Sequence, residues 1–190
     1  MIGSISQWNP GLDDEETTLR DQYLAMPRAQ APSIPWYVKL LENPASPLAF
    51  PGAVDIFAHD CIHIVLGRGA LAQDEAFVIG FTMSASGRLS RLQHRWFRLW
   101  ASVVYRGMYR FGRIDRQVFD LAIETAARMN PARLDCVAFG PLMDRPLGEI
   151  RTALRIDRAQ LLETYERERV RWPASPAGQR LPTAGSAVRR

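Results

Sequence analysis

Residues 54–86, VDIFAHDCIHIVLGRGALAQDEAFVIGFTMSAS, constrain this chain more than any other stretch. Apolar side chains recur at helical spacing on both sides of Gly67-Arg68-Gly69, and a glycine just past the last helical residue is an ordinary helix stop. The pattern predicts one helix from near Pro51 to Gly67 and a second over 72–86, packed antiparallel. Residues four apart lie one above the other on a helix, so His59 and His63 share a face, with Asp55 a turn earlier. The chain reversal at the glycines brings Glu75 back towards His63. Val54, Phe57, Ala58, Cys61 and Val65 form the neighbouring apolar stripe, in which Cys61 reads as a packed small hydrophobe rather than a thiolate ligand.

The chain has 3 histidines, His59, His63 and His94, and two of them meet here. Histidines on a helix are often simply hydrogen-bonded structural residues. Here several polar residues interrupt an apolar stretch, where burial without a partner is costly, and one cation would satisfy them together. Two imidazoles at this spacing suit a divalent cation, and a carboxylate from a second element completes a partial shell with positions left open. The expected ligands are His59, His63 and Glu75. Asp60 is a fourth candidate, as ligand or as catalytic carboxylate beside Glu75, and Asp60 or Asp55 could orient an imidazole. Zinc is the first expectation for the cation, with iron, manganese or magnesium also compatible with such ligands. The zinc-protease HExxH pattern fits poorly, because Asp60 is a methylene shorter than glutamate. An HD-type phosphohydrolase needs a histidine ahead of the pair, and none precedes His59.

The rest of the sequence reads as helix and loop. Helices are expected over 13–26, through Trp36 and Leu41, over 88–110, from Asp115 to Asn130-Pro131, over 147–156 and over 157–170; nothing demands a strand. The fold class is therefore all-α, a single helical domain of about six to eight helices covering residues 1–171. Residues 172–190, rich in proline, alanine and glycine, form a tail expected to be disordered. At 190 residues the chain can bury a sizeable core, and no apolar run approaches the roughly 20 residues of a membrane span. Two cysteines are too few for a disulfide framework. The acidic N-terminus lacks a secretory or transit pattern, so the bacterial cytoplasm is the expected compartment. Ala76, Gly80 and Ser84 fall four apart, where small side chains let another helix approach closely.

Charge is uneven along the chain. Lys39 is the one lysine, and the segment 88–116 holds eight arginines against Asp115 alone. Within it Leu89, Leu92, Trp96, Leu99 and Val103 form a stripe beside Arg88, Arg91, Arg95 and Arg98, a basic amphipathic helix. A core-facing helix with a solvated basic face is the preferred reading over membrane contact. No nucleic-acid-binding motif is present, and no nucleic-acid partner is expected.

HDxxH, eleven residues, then E, at His59, Asp60, His63 and Glu75, resembles the motif of the coenzyme Q biosynthesis protein 4 family. PLGEIRTALRI, at 146–156, is similar to that family's closing element, and SPLAFPG sits suitably before the motif, so the resemblance covers 33–156. It implies an all-α protein of ubiquinone biosynthesis, peripheral on the inner face of the membrane, which removes the ring carboxylate of a prenylated aromatic acid by oxidative decarboxylation. It also implies a polyprenyl lipid as partner, with Phe77, Phe81 and Trp96 as candidate tail contacts, and a homodimer working with other quinone-biosynthesis proteins. A non-catalytic scaffold that holds polyprenyl precursors is the alternative, followed by a metallohydrolase with Asp60 as base. QDEAFVIGFTMSAS departs from the form of the mitochondrial members, which points to a bacterial branch with another substrate.

Overall fold

Capping side chains decide where the helices of this chain begin. The computed structural model describes residues 7–27, 51–90, 92, 93, 96 and 111–183. Among these there are six α-helices and no strand: α1 (Leu19–Ala25), α2 (Ile56–Leu66), α3 (Ala72–Ala85), α4 (Arg113–Met129), α5 (Leu147–Ala153) and α6 (Arg158–Arg171). The all-α expectation holds. Thr18, Asp55 and Asp157 cap α1, α2 and α6 by accepting backbone N–H bonds in the first turn.

Several boundaries differ from the sequence expectation for local reasons. Helix α1 starts at Leu19 instead of residue 13, because Asp14 accepts the Thr17 N–H at 3.0 Å and the backbone of 15–20 pairs with the loop before α5 and with the first residues of α5. Helix α2 starts at Ile56, after a turn at Pro51-Gly52 that takes up the proline start signal. Asp115, expected as the cap of α4, instead sits inside its first turn, and its carboxylate accepts the N–H of Gly112, the residue that caps the helix, at 2.7 Å. The end at Asn130 is as expected, with that residue in the left-handed region at φ 51°.

One core cluster draws on all six helices, including Leu19, Ile62, Phe77, Phe81, Val118, Ile150 and Tyr165. Helix α3 lies along α4 for most of its length. The small residues explain how: a Cβ on Gly80 would stand 2.6 Å from the Phe119 carbonyl oxygen, and Ser84 donates to Ile123 O at 3.0 Å. Close helix packing is therefore the use of the Ala76/Gly80/Ser84 series.

The C-terminal end of α2 is tied down unusually well. Its last carbonyls, which a helix leaves without internal partners, are taken by the N–H groups of Gly67 and Arg68, by Arg151 Nε on Val65 O (2.9 Å) and by the Tyr165 hydroxyl on Leu66 O (2.5 Å). A buried cation at this end also complements the helix dipole. This fixes the turn that leads to α3.

The start of the segment expected to be disordered is packed: Ser175, Ala177 and Leu181 are buried, and Leu181 joins the main core. Arg169 Nη1 donates to Leu181 O at 3.1 Å and Asn9 donates to Arg180 O. Composition missed this because a few anchoring side chains suffice to hold a stretch that is otherwise poor in apolar residues. The expected helix through Trp36, most of the one over 88–110, and residues 184–190 lie outside the described residues.

Candidate metal centre

The hairpin expected from residues 54–86 is present and places three ligand atoms together. His59 and His63 come from successive turns of α2, and Glu75 from the first turn of α3. His59 Nε2 lies 3.0 Å from Glu75 Oε2 and 3.0 Å from His63 Nε2, and His63 Nε2 lies 3.4 Å from the same carboxylate oxygen. The rings meet edge to face, with centroids 4.7 Å apart.

That triangle has a circumradius of about 1.8 Å, shorter than the roughly 2.0–2.1 Å of a bond from zinc to imidazole nitrogen or carboxylate oxygen. A divalent cation would therefore fit at bonding distance from all three atoms, held by His59, His63 and Glu75. Three lone-pair-bearing atoms held this close repel one another unless a proton or a cation sits among them. The geometry suits a divalent cation bound by two histidines and one carboxylate.

Protonation follows from the surroundings. His63 is 2% exposed and its Nδ1 is 2.8 Å from the Gly69 carbonyl. A carbonyl only accepts, so Nδ1–H donates and Nε2 is the ring nitrogen that faces His59 and Glu75. This is the outer hydrogen bond that metal-ligating histidines usually make, here supplied by backbone. Burial alone would raise the pKa of Glu75, but the two imidazoles outweigh it and hold the carboxylate well below its usual range. About a third of the Glu75 side chain, 32%, stays accessible, as does 28% of His59, so the cluster opens on one side.

Gly67 and Gly69 shape the turn between the ligands. Gly67 sits at φ +69°, and a Cβ there would meet the Gly11 carbonyl at 2.6 Å; at Gly69 it would meet the Trp8 carbonyl at 2.6 Å. The N-terminal segment therefore lies directly on the turn, which only glycine permits.

The other expected residues have different places. Asp60 stays half-buried beside the cluster and is not among the three converging ligands, so its expected role as a ligand is not met. Burial raises its pKa, opposed by His59 and His63 and assisted by Glu75. Asp55 does not orient an imidazole, because its carboxylate is used to cap α2 on the Ala58 N–H at 2.7 Å. Cys61 is fully buried, and burial pushes its thiol up to about 12. Phe77 and Phe81 are fully buried in the core, stacked on one another at 6.0 Å, with Phe77 edge-on to Tyr165. They do not line a surface that could take a lipid tail, because their own packing already fills the space. On the basic segment Leu89 packs against the core, whereas Leu92 is 64% and Trp96 50% exposed; Arg91, His94, Arg95 and 97–110 lie outside the described residues.

Sequence reasoning missed a buried polar cluster next to the site. Arg68, wholly buried, donates from Nη2 to both oxygens of Glu168 on α6 at 2.9 and 3.1 Å. Its guanidinium lies over the rings of Phe77 and Tyr165, 4.2 and 4.8 Å from their centroids. Gln73 donates to Glu168 at 2.5 Å and accepts from Ser175. Burial would lower the pKa of Arg68, but Glu168 and Asp74 more than offset it and keep the cation charged. The available signal was an arginine set between two glycines in an otherwise apolar stretch.

No protein-family model, curated protein or solved structure matches the chain.

Proposed function

We propose that this chain is a divalent-metal protein of prenylquinone biosynthesis that acts on a prenylated aromatic acid, losing the ring carboxylate as carbon dioxide while a hydroxyl takes its place. The observation that carries the metal reading is the convergence of His59 Nε2, His63 Nε2 and Glu75 Oε2 within 3.4 Å. The substrate class comes from the resemblance of the His59–Glu75 and 146–156 elements to the coenzyme Q biosynthesis protein 4 family. Zinc and iron both accept two histidines and a carboxylate; the oxidation favours iron or another metal able to work with dioxygen as the external oxidant.

When bound, the cation supplies a Lewis acid that grips the anionic end of the substrate. The protein groups do the rest. His63 is oriented by its Nδ1–H bond to the Gly69 carbonyl, and the neighbouring imidazoles hold the Glu75 carboxylate well below its usual range. Asp60, beside the cluster but outside the ligand set and with its pKa raised by burial, is the proposed holder of a proton for the reaction. With Phe77 and Phe81 in the core, the tail has to meet other surfaces, and Trp96 and Leu92 are exposed apolar candidates. No described helix is long and apolar enough to cross a membrane. Those same exposed side chains favour a second reading, a polyprenyl-binding scaffold without catalysis.

The test is expression of the wild type and of Glu75→Ala in a cell lacking its own ring decarboxylation step, with quinone intermediates measured by mass spectrometry. Wild type should clear the carboxylated precursor and Glu75→Ala should not. Precursor that persists with the wild type rejects the reaction, and equal rescue by Glu75→Ala favours the scaffold.

A further inference from the structure

Glu168 lies on α6, 93 residues beyond the last metal ligand in the chain, yet it touches both ends of the loop that joins the ligands. Its two oxygens receive Arg68 Nη2 at 2.9 and 3.1 Å, and one of them receives Gln73 Nε2 at 2.5 Å. Arg68 immediately precedes Gly69, whose carbonyl orients His63, and Gln73 stands two residues before Glu75. Between them Asp74, also buried, accepts the Leu71 N–H at 3.1 Å and lies 3.7 Å from Arg68 Nε and from Arg180 Nη2. Every side chain in this cluster is at most 6% exposed apart from Arg180 at its edge.

Such a cluster is a poor device for stability alone, because desolvating two charges offsets much of what their attraction returns. What it provides is geometry: a carboxylate on a rigid helix fixes residues 68 and 73 at once, and with them the separation of the imidazole held by residue 69 and the carboxylate of residue 75. We propose that Glu168, through Arg68 and Gln73, is a positioning residue of the metal centre that sets the spacing between His63 and Glu75. This rests on the metal reading above.

The test uses cobalt(II) alone as the probe, with affinity measured by competition titration and ligand geometry by the visible absorption bands. Two variants separate positioning from folding. Arg68→Met with Glu168→Gln removes the Arg68–Glu168 ion pair as a unit while leaving an acceptor for Gln73 and Arg180 as the cation beside Asp74. Gln73→Ala cuts the second arm and leaves no charge unpaired. Both should keep the helical circular dichroism of the wild type. The double variant should bind cobalt(II) about 10- to 100-fold more weakly, the range typical of lost outer-shell support, with altered bands, and Gln73→Ala should fall between it and the wild type. Wild-type affinity and bands in both folded variants would overturn the positioning role and leave the metal site standing. Wild type that takes up no more cobalt(II) than His63→Ala would overturn the metal reading itself.

Discussion

Truncating His59 and His63 separately should remove the same cation but cost the apo-protein very different amounts. His63 is 2% exposed and its Nδ1–H satisfies the Gly69 carbonyl, whereas His59 keeps 28% of its side-chain surface accessible. His63→Ala leaves a buried carbonyl unpaired, worth about 1–3 kcal/mol, and a ring-sized void on top, for a total of about 2–4 kcal/mol. His59→Ala lacks both penalties and should cost about 1 kcal/mol or less. For a chain of this size about 2–4 °C of Tm corresponds to 1 kcal/mol, so in chelator His63→Ala should melt about 5–15 °C below wild type and His59→Ala within a few degrees of it. Adding a cation at about 100 times its Kd should stabilise wild type by ~2.7 kcal/mol, or about 5–10 °C, and leave both variants unmoved. Thermal unfolding followed by circular dichroism, with and without chelator, reads all six states. Equal losses for the two variants in chelator would refute the buried Nδ1–H to Gly69 bond, and a cation-induced rise surviving in His63→Ala would refute its assignment as a ligand.

Two further outcomes follow from the packing. Native protein near pH 8 should react with a thiol reagent at exposed Cys136 alone, because burial holds the Cys61 thiol up at about 12 from an ordinary 9.0; protection of Cys61 costs nothing below pH 9.0 and weakens folding as pH climbs from there towards 12, and rapid native labelling of two thiols would contradict the buried placement. Gly80→Ala adds a better helix former yet puts a Cβ 2.6 Å from the Phe119 carbonyl, so it should destabilise by about 1–3 kcal/mol in denaturant unfolding, whereas a gain in stability would mean that α3 and α4 are further apart than described.

What the sequence by itself determined is the part governed by short-range geometry. The spacing of His59 and His63 places both rings on one face at 3.6 residues per turn, and Gly67 and Gly69 reverse the chain so that Glu75, sixteen residues after His59, returns to the same point. Helix stops at Gly67 and Asn130 were legible because each rests on one residue able to take the left-handed region. Helix starts were less so, since Asp14, Asp55 and Asp115 each accept a backbone N–H and only the surrounding chain decides which one opens a helix. Tertiary structure alone decided where side chains with two plausible destinations went. Phe77 and Phe81 suit a core as well as a lipid groove, and the arrival of Tyr165 on α6 settles them in the core. Asp60, one residue after His59, stays beside the cluster without joining the three atoms that converge. Arg68 was legible only as part of a turn, and Glu168, a hundred residues later, meets it inside the protein. A charge can be buried only where its partner is buried with it, and a pairing at that separation leaves no trace in local periodicity.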